Sequence, residues 1–285
     1  MKKIFQRLIV FFIGVPLLLA VIVIFPQKNH LLFNLVTLVF TVLGAIEFRN
    51  ILAHKNLFIS LPEAIIFGAI SPAAWIVVVS FGIDGHIVPG AYILGALWLL
   101  VSRIFTTKEK LGSYIERTTA GFSIMIYPGL FMAWIIQMSV FSEAGKVILV
   151  FFLVVFLNDA IAWVTGVLFG KNNRGLIAAS PNKSIAGFIG GQCVSILIGI
   201  LATIVFPGAF SSGIMPSIWA GVILGFVGGI AAILGDLGES AIKRSAGVKD
   251  SGTLIMGRGG ALDSIDSLAL AAPVFYMFYQ ILFTI

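Results

Sequence analysis

A chain of 285 residues that is 59% hydrophobic and only 11% charged carries far less charge than a soluble domain, where roughly 25% of residues are charged. With a mean hydropathy of +1.10 it excludes a water-soluble globular fold, which could not bury so much apolar surface, and marks an integral membrane protein. The net charge of +6 therefore concerns the two faces of a bilayer, and nucleic acid is not an expected partner.

Crossing the hydrocarbon core as a helix takes ~20 mostly apolar residues. In chain order, such stretches run over 8–25, 31–48, 64–83, 87–105, 118–139, 147–169, 185–206, 216–235 and 267–285. The sequence predicts an all-α, polytopic membrane protein with about nine transmembrane helices. Strand-like alternation is absent, which excludes a β-barrel. The first stretch follows MKKIFQR and has a longer apolar run than a signal peptide. PQKNHLL after it offers no small-residue cleavage site, so it is expected to remain as an anchor.

Placing the N-terminus in the cytoplasm puts every one of the 18 Lys and Arg residues except Lys28 and Lys146 on the cytoplasmic side, with Arg117 counted in the loop before the fifth span. Basic residues are retained on that side. The expectation is a multi-pass protein of the cell (inner) membrane, with its N-terminus and the loop between the last two spans in the cytoplasm. Two regions are expected: about five N-terminal spans over 1–145 and a C-terminal transmembrane region over 146–285 that holds a polar loop at 236–267. His30, His54 and His86 fall in three short loops and read as solvated. The single cysteine, Cys193, allows no intrachain disulfide and reads as a small apolar residue at a helix interface.

Ionisable groups inside membrane segments usually line a polar cavity. Asp159 stands mid-span in VVFLNDAIAWVTGVLFGK, either as a protonated or paired structural residue or as a cavity wall. Glu47, at the end of the second span, reads as an interfacial partner of Arg49 or Arg103. The loop GKNNRGLIAASPNKSIAGFIGG carries Lys171, Arg174 and Lys183. That patch reads either as topology alone or as a phosphate site at a helix start, with Ser184 as the helix cap.

The most polar stretch is SAIKRSAGVKDSGTLIMGRGGALDSIDS at 240–267. If the eighth span stays helical to about 246, Asp236, Ser240 and Lys243 share one face at i, i+4 and i+7. Gly257, Gly259 and Gly260 permit close backbone approach, although no G-K-[ST] follows as in a P-loop. Asp263 and Asp266, spaced i, i+3 at the start of the last span, either complement its dipole or join Asp236 in an all-oxygen Mg²⁺ site, one or two ions.

S-A-I-K-R, K-D, G-R-G-G and D-S-I-D together resemble the signature of the phosphatidate cytidylyltransferase (CDP-diacylglycerol synthase) family, S-x-x-K-R-x(4)-K-D, H-G-G and D-R-x-D. NDAIAWVTGVLFGK and SPNKSIAGFIGG are similar to two upstream segments of that family. The resemblance covers roughly residues 155–270. This chain departs from the pattern at Arg258 (usually His), Ser264 (usually Arg), Ala186 (usually Glu), Ser184 (usually Thr) and Asn182 (usually Lys).

The resemblance implies transfer of CMP from CTP to phosphatidate in a polar cavity open to the cytoplasm. It implies Asp236, Lys243, Asp250, Asp263 and Asp266 as catalytic residues. Lys183, Ser240, Arg244, Lys249, Arg258, Gly259 and Gly260 would hold phosphates, with Arg258 taking over from the missing Arg. Mg²⁺ would sit on Asp236, Asp263 and Asp266, with Asp159 as a further candidate and a monovalent cation as an additional option. Two other readings share parts of this pattern: a CTP-dependent lipid-alcohol kinase and an ion-coupled secondary transporter. Gly-rich helices such as GVILGFVGGIAAILGDLG leave room for a homodimer.

Overall fold

The structure, a computed structural model, describes residues 13–255, 257 and 259–284. Its helices are α1 (Val15–Ile24), α2 (Gln27–Ala53), α3 (Leu61–Phe81), α4 (Ile87–Val101), the short α5 (Lys108–Gly112) and α6 (Tyr114–Val140). Then follow α7 (Ala144–Phe169), α8 (Ile185–Val205), α9 (Ser217–Ser245) and α10 (Leu262–Phe283). Among the described residues there is no strand, only isolated bridges at Arg174–Ser184 and Ile255–Gly259.

Among the described residues seven helices, α2, α3 and α6 to α10, are long and apolar enough to cross a membrane, and the chain is a multi-pass membrane protein. The stretch expected over 87–105 forms a helix of 15 residues. Of the first expected span, residues 8–12 lie outside the described residues, and the described part includes the 10-residue α1. Two expected boundaries shift: the helix of the eighth expected span, α9, runs on to Ser245, and that of the last, α10, begins at Leu262. Polar residues at the ends of these helices continue the helical hydrogen bonding past the apolar stretch.

The chain forms two compact units, Met1–Ser139 with Ser245–Ile265, and Val140–Arg244 with Asp266–Ile285. The polar loop expected over 236–267 is thus divided between them.

In the first unit α2 packs on α3 where Gly68 meets Ala45; a Cβ on Gly68 would lie 2.5 Å from that of Ala45. Within α6, Met125–Leu130 winds as a π-turn around Pro128, whose missing N–H breaks the α ladder. Arg117 does not serve as a loop charge. It is only 2% exposed, ion-paired with Glu63, and donates to Leu99 O at 3.2 Å and Ser102 Oγ at 2.9 Å. Glu63 also closes the capping box of α3 with Ser60. A guanidinium is tolerated at such depth because its donors are matched. His30 also departs from its expected solvated place. Lys28, Asn29 and His30 form a left-handed turn with φ of 49°, 53° and 60° at the head of α2, and His30 is buried. Asn29 anchors the turn by donating to Val79 O at 2.7 Å.

In the second unit α7, α8 and α9 meet through small residues. A Cβ on Gly191 would come within 2.8 Å of Asn158 O, and one on Gly225 within 2.7 Å of Ile196 Cα. Lipid tails are as apolar as leucine, so close backbone packing and interhelical hydrogen bonds join such helices. Asn158 supplies one, donating to Ser195 Oγ at 2.9 Å, and Ser195 Oγ donates to Val154 O at 3.2 Å. Cys193 is not at a helix interface within the chain but exposed on α8, because Gly191 and Ser195 take the packed face.

Candidate functional site

Three helices of the second unit bring four acidic residues together. Asp236 and Glu239 lie on α9, Asp159 on α7 and Asp266 near the start of α10. Asp266 is buried and feels the charges of Asp236, Glu239 and Asp159. Ser267 binds two of them locally: its N–H donates to Asp266 Oδ1 at 2.6 Å, and its Oγ to Asp159 Oδ2 at 3.3 Å. The close approach of α9 to α10 depends on Gly235, where a Cβ would fall 2.6 Å from Asp266 O.

Two lysines answer these carboxylates. Lys183, from the turn before α8, lies 2.5 Å from Asp236 Oδ2. Lys243 pairs with Glu239 one helical turn away, and both are buried. Asp236 and Ser240 share a face as their spacing requires, with Ser240 Oγ 3.5 Å from Asp236 Oδ1. Sequence reasoning passed over Glu239, although its i, i+4 spacing to Lys243 was the available signal. Ser184 caps α8, accepting from Gly187 N at 3.0 Å. Arg244 is exposed and reaches Ala179 O at 3.4 Å.

The first unit holds the middle of the signature stretch. Ile255 and Gly259 exchange backbone hydrogen bonds of 2.8 and 3.1 Å, which closes a tight turn. Gly259 takes φ of +113°, a conformation that favours glycine. Arg258, expected to bind phosphate, and Met256 lie outside the described residues. Beyond the turn, Asp263 Oδ2 accepts from Gly260 N at 2.7 Å, Ser251 N at 3.0 Å and Ser251 Oγ at 2.9 Å. Lys249 and Asp250 are exposed beside it.

Glu47 does not pair with Arg49 or Arg103. Arg49 binds Ile59 O and Asn50 Oδ1, and Arg103 binds Ser113 Oγ. The Glu47 carboxylate instead accepts from Ala261 N at 2.9 Å, Leu262 N at 2.8 Å and Ser251 Oγ at 2.8 Å. The first N–H groups of α10 have no partner within the helix and give the buried carboxylate its donors. No local spacing signals a contact spanning more than 200 positions.

Among the described residues no three His, Cys, Asp or Glu side chains converge as ligands of one metal ion. The donor chemistry of the second unit nevertheless fits a hard cation. Asp159, Asp236, Glu239 and Asp266 are four carboxylates against the ammonium groups of Lys183 and Lys243, and oxygen donors are what Mg²⁺ takes.

The model of the cytidylyltransferase family matches residues 5–282. A phosphatidate cytidylyltransferase of Staphylococcus haemolyticus is 39% identical over 133 residues, 47% of this chain and 48% of that protein. The uncharacterized protein YnbB of Escherichia coli K12 is 36% identical over 150 residues, 52% of this chain and 48% of its own length. A phosphatidate cytidylyltransferase of Thermotoga maritima is 34% identical over 194 residues, 67% of this chain and 68% of that protein. The chain spans about half the length of the first two relatives. With a family model matched over nearly its whole length, the chain belongs to the cytidylyltransferase family.

Proposed function

We propose that this protein transfers the cytidylyl group of CTP to phosphatidate, giving CDP-diacylglycerol and pyrophosphate. The observation that carries the reading is the pairing of phosphate-type cations with a carboxylate group in the second unit, Lys183 with Asp236 and Lys243 with Glu239, around Asp266. The names of the Staphylococcus and Thermotoga relatives support it. In the reaction a phosphate oxygen of phosphatidate bonds to the α-phosphorus of CTP, the bond to the β-phosphate bridge breaks, and pyrophosphate leaves. The nucleophile is already anionic, so the protein's task is positioning and charge neutralisation.

In this reading Lys183, Lys243 and Arg244 neutralise phosphates, with Ser240 as a donor beside them. Lys249, Arg258, Gly259 and Gly260 contribute phosphate contacts from the loop, where Asp250 lies next to Lys249. Asp236 and Asp266 hold Mg²⁺, with Asp159 nearby and Asp263 one turn earlier on α10. The ion, when bound, supplies charge neutralisation on the triphosphate. The reading includes the cell (inner) membrane, the N-terminus and loop in the cytoplasm, and a polar cavity open to that side. The lipid tails then stay in the bilayer. Its support is the distribution of basic residues. A homodimer would have to meet on faces other than the glycine contacts used within the chain, and crosslinking through the exposed Cys193 tests for one.

The deciding experiment gives purified protein CTP or another nucleoside triphosphate, with and without phosphatidate and Mg²⁺. The expected outcome is pyrophosphate release that requires CTP, phosphatidate and Mg²⁺ together. Formation of CDP and a phosphorylated lipid would replace this reading with a CTP-dependent lipid kinase.

A further inference from the structure

We propose that Glu47 is a positioning residue for the signature loop, a role that rests on the cytidylyl-transfer reading for its consequence but not for its geometry. Glu47 sits on α2, more than 200 positions before the loop, and is only 9% exposed. Both its carboxylate oxygens are turned to the entrance of α10. Oε1 accepts from Ala261 N, and Oε2 accepts from Leu262 N and Ser251 Oγ. The loop is shaped around this carboxylate. A Cβ on Gly260 would run into both Glu47 and Ser251 Oγ, and one on Gly252 would also strike Glu47.

Ser251 links Glu47 to Asp263. Its Oγ lies 2.8 Å from Glu47 Oε2 and 2.9 Å from Asp263 Oδ2. A hydroxyl has one proton to donate, so at any moment it serves one of these carboxylates and the other rests on backbone N–H donors. Asp263 has Gly260 N and Ser251 N for that purpose, and Glu47 has Ala261 N and Leu262 N. The two acids thus share one hydroxyl, and each ties Ser251 to the far end of the stretch 251–262, Asp263 at Gly260 and Glu47 at Ala261 and Leu262. Lys249 and Asp250 directly precede that stretch, and Asp263 follows it. Fixing both ends fixes where these side chains stand, and a displacement near 1 Å is enough to slow a positioned reaction.

Glutamine cannot take the place of Glu47, because its amide nitrogen would face an N–H donor where an acceptor is needed. Aspartate keeps two acceptor oxygens on a shorter stem. Hydrogen exchange on the whole protein in detergent micelles, paired with cytidylyl transfer, tests the assignment. In Glu47→Gln, exchange at Ala261 and Leu262 should rise by about tenfold or more as the local contact opens, while α8 stays as protected as before. Transfer should fall by about tenfold or more, and Glu47→Asp should restore part of both. Ser251→Ala should leave Ala261 and Leu262 protected, since their acceptor remains.

Unchanged exchange at Ala261 and Leu262 in Glu47→Gln would overturn the proposal. So would an equal rise across α8, which would make Glu47 a general stability residue, or a local rise with transfer unaltered. If the wild-type protein transfers no cytidylyl group at all, the functional reading falls, and exchange at Ala261 and Leu262 alone decides whether Glu47 positions the loop.

Discussion

Lys183 and Asp236 form an ion pair of 2.5 Å that ties the turn before α8 to the second half of α9. Both side chains keep some solvent contact, 25% and 31% of their surface, so the pair adds no more than about 1 kcal/mol to stability. Each is also the type of group that a nucleotide with its cation requires, an ammonium for phosphate and a carboxylate for metal.

Lys183→Ala and Asp236→Asn should therefore leave thermal unfolding in detergent almost unchanged while cytidylyl transfer drops by about 10²-fold or more for each. The double variant should lose less than the product of the two, because in the proposed reaction the residues act on one bound nucleotide. Pyrophosphate release beside a melting curve measures both. Full additivity would separate their roles.

Removal of divalent ions should abolish transfer, and Mg²⁺ should restore it. Asp266→Asn should raise the Mg²⁺ concentration needed for half-maximal activity by about tenfold or more, the size of effect that loss of one charged donor produces. A Mg²⁺ titration of the Asp263→Asn, Asp266→Asn double variant is the stricter check: full activity there would remove both from the metal assignment.

Arg117 and Glu63 should behave in the opposite way. Their pair lies in the first unit, with the Arg117 side chain only 2% exposed and that of Glu63 18%. Removing one partner strands a charge, at a cost on the order of 3–5 kcal/mol. Arg117→Met should lower the melting temperature markedly, and Arg117→Met with Glu63→Gln should recover part of the loss. Transfer per folded molecule should stay at the wild-type rate, since neither residue touches the candidate site. Circular dichroism on heating, normalised against activity, reads the difference.

The orientation is open to a chemical test because the chain has a single cysteine. In a Cys193→Ser background, cysteines placed at Lys249 and at Asp84 should react from opposite sides of the membrane. A reagent that cannot cross the bilayer should label Lys249→Cys only in inside-out vesicles and Asp84→Cys only in right-side-out ones. Labelling of both from one side would remove the alternating arrangement of loops.

The helical, membrane-spanning character of this protein was legible in its composition and in the spacing of its apolar stretches. Each expected span has a helix among the described residues, though α1 and α4 are short. The face shared by Asp236 and Ser240 and the Ser184 cap were legible too, because helix spacing and capping are local. The pairing of Lys243 with Glu239 was within reach of the same reasoning. The burial of His30 and Arg117 was not, since each depends on partners or turns that no nearby residue announces.

By itself the sequence determined the solvent of each segment and the chemistry available to it: apolar runs for the bilayer, and a basic and acidic stretch over 236–267 with the motifs of a cytidylyltransferase. Those properties follow from residue type and short-range periodicity. Only the tertiary structure decided which groups answer one another. It gave Asp236 to Lys183, set Asp266 among three other carboxylates, and turned Glu47 toward Ala261 and Leu262. The physical reason is that a buried charge must find its partner in three dimensions. Which helix end, turn or side chain comes within 3 Å is fixed by how glycine-rich helices pack, and by nothing in the neighbouring residues.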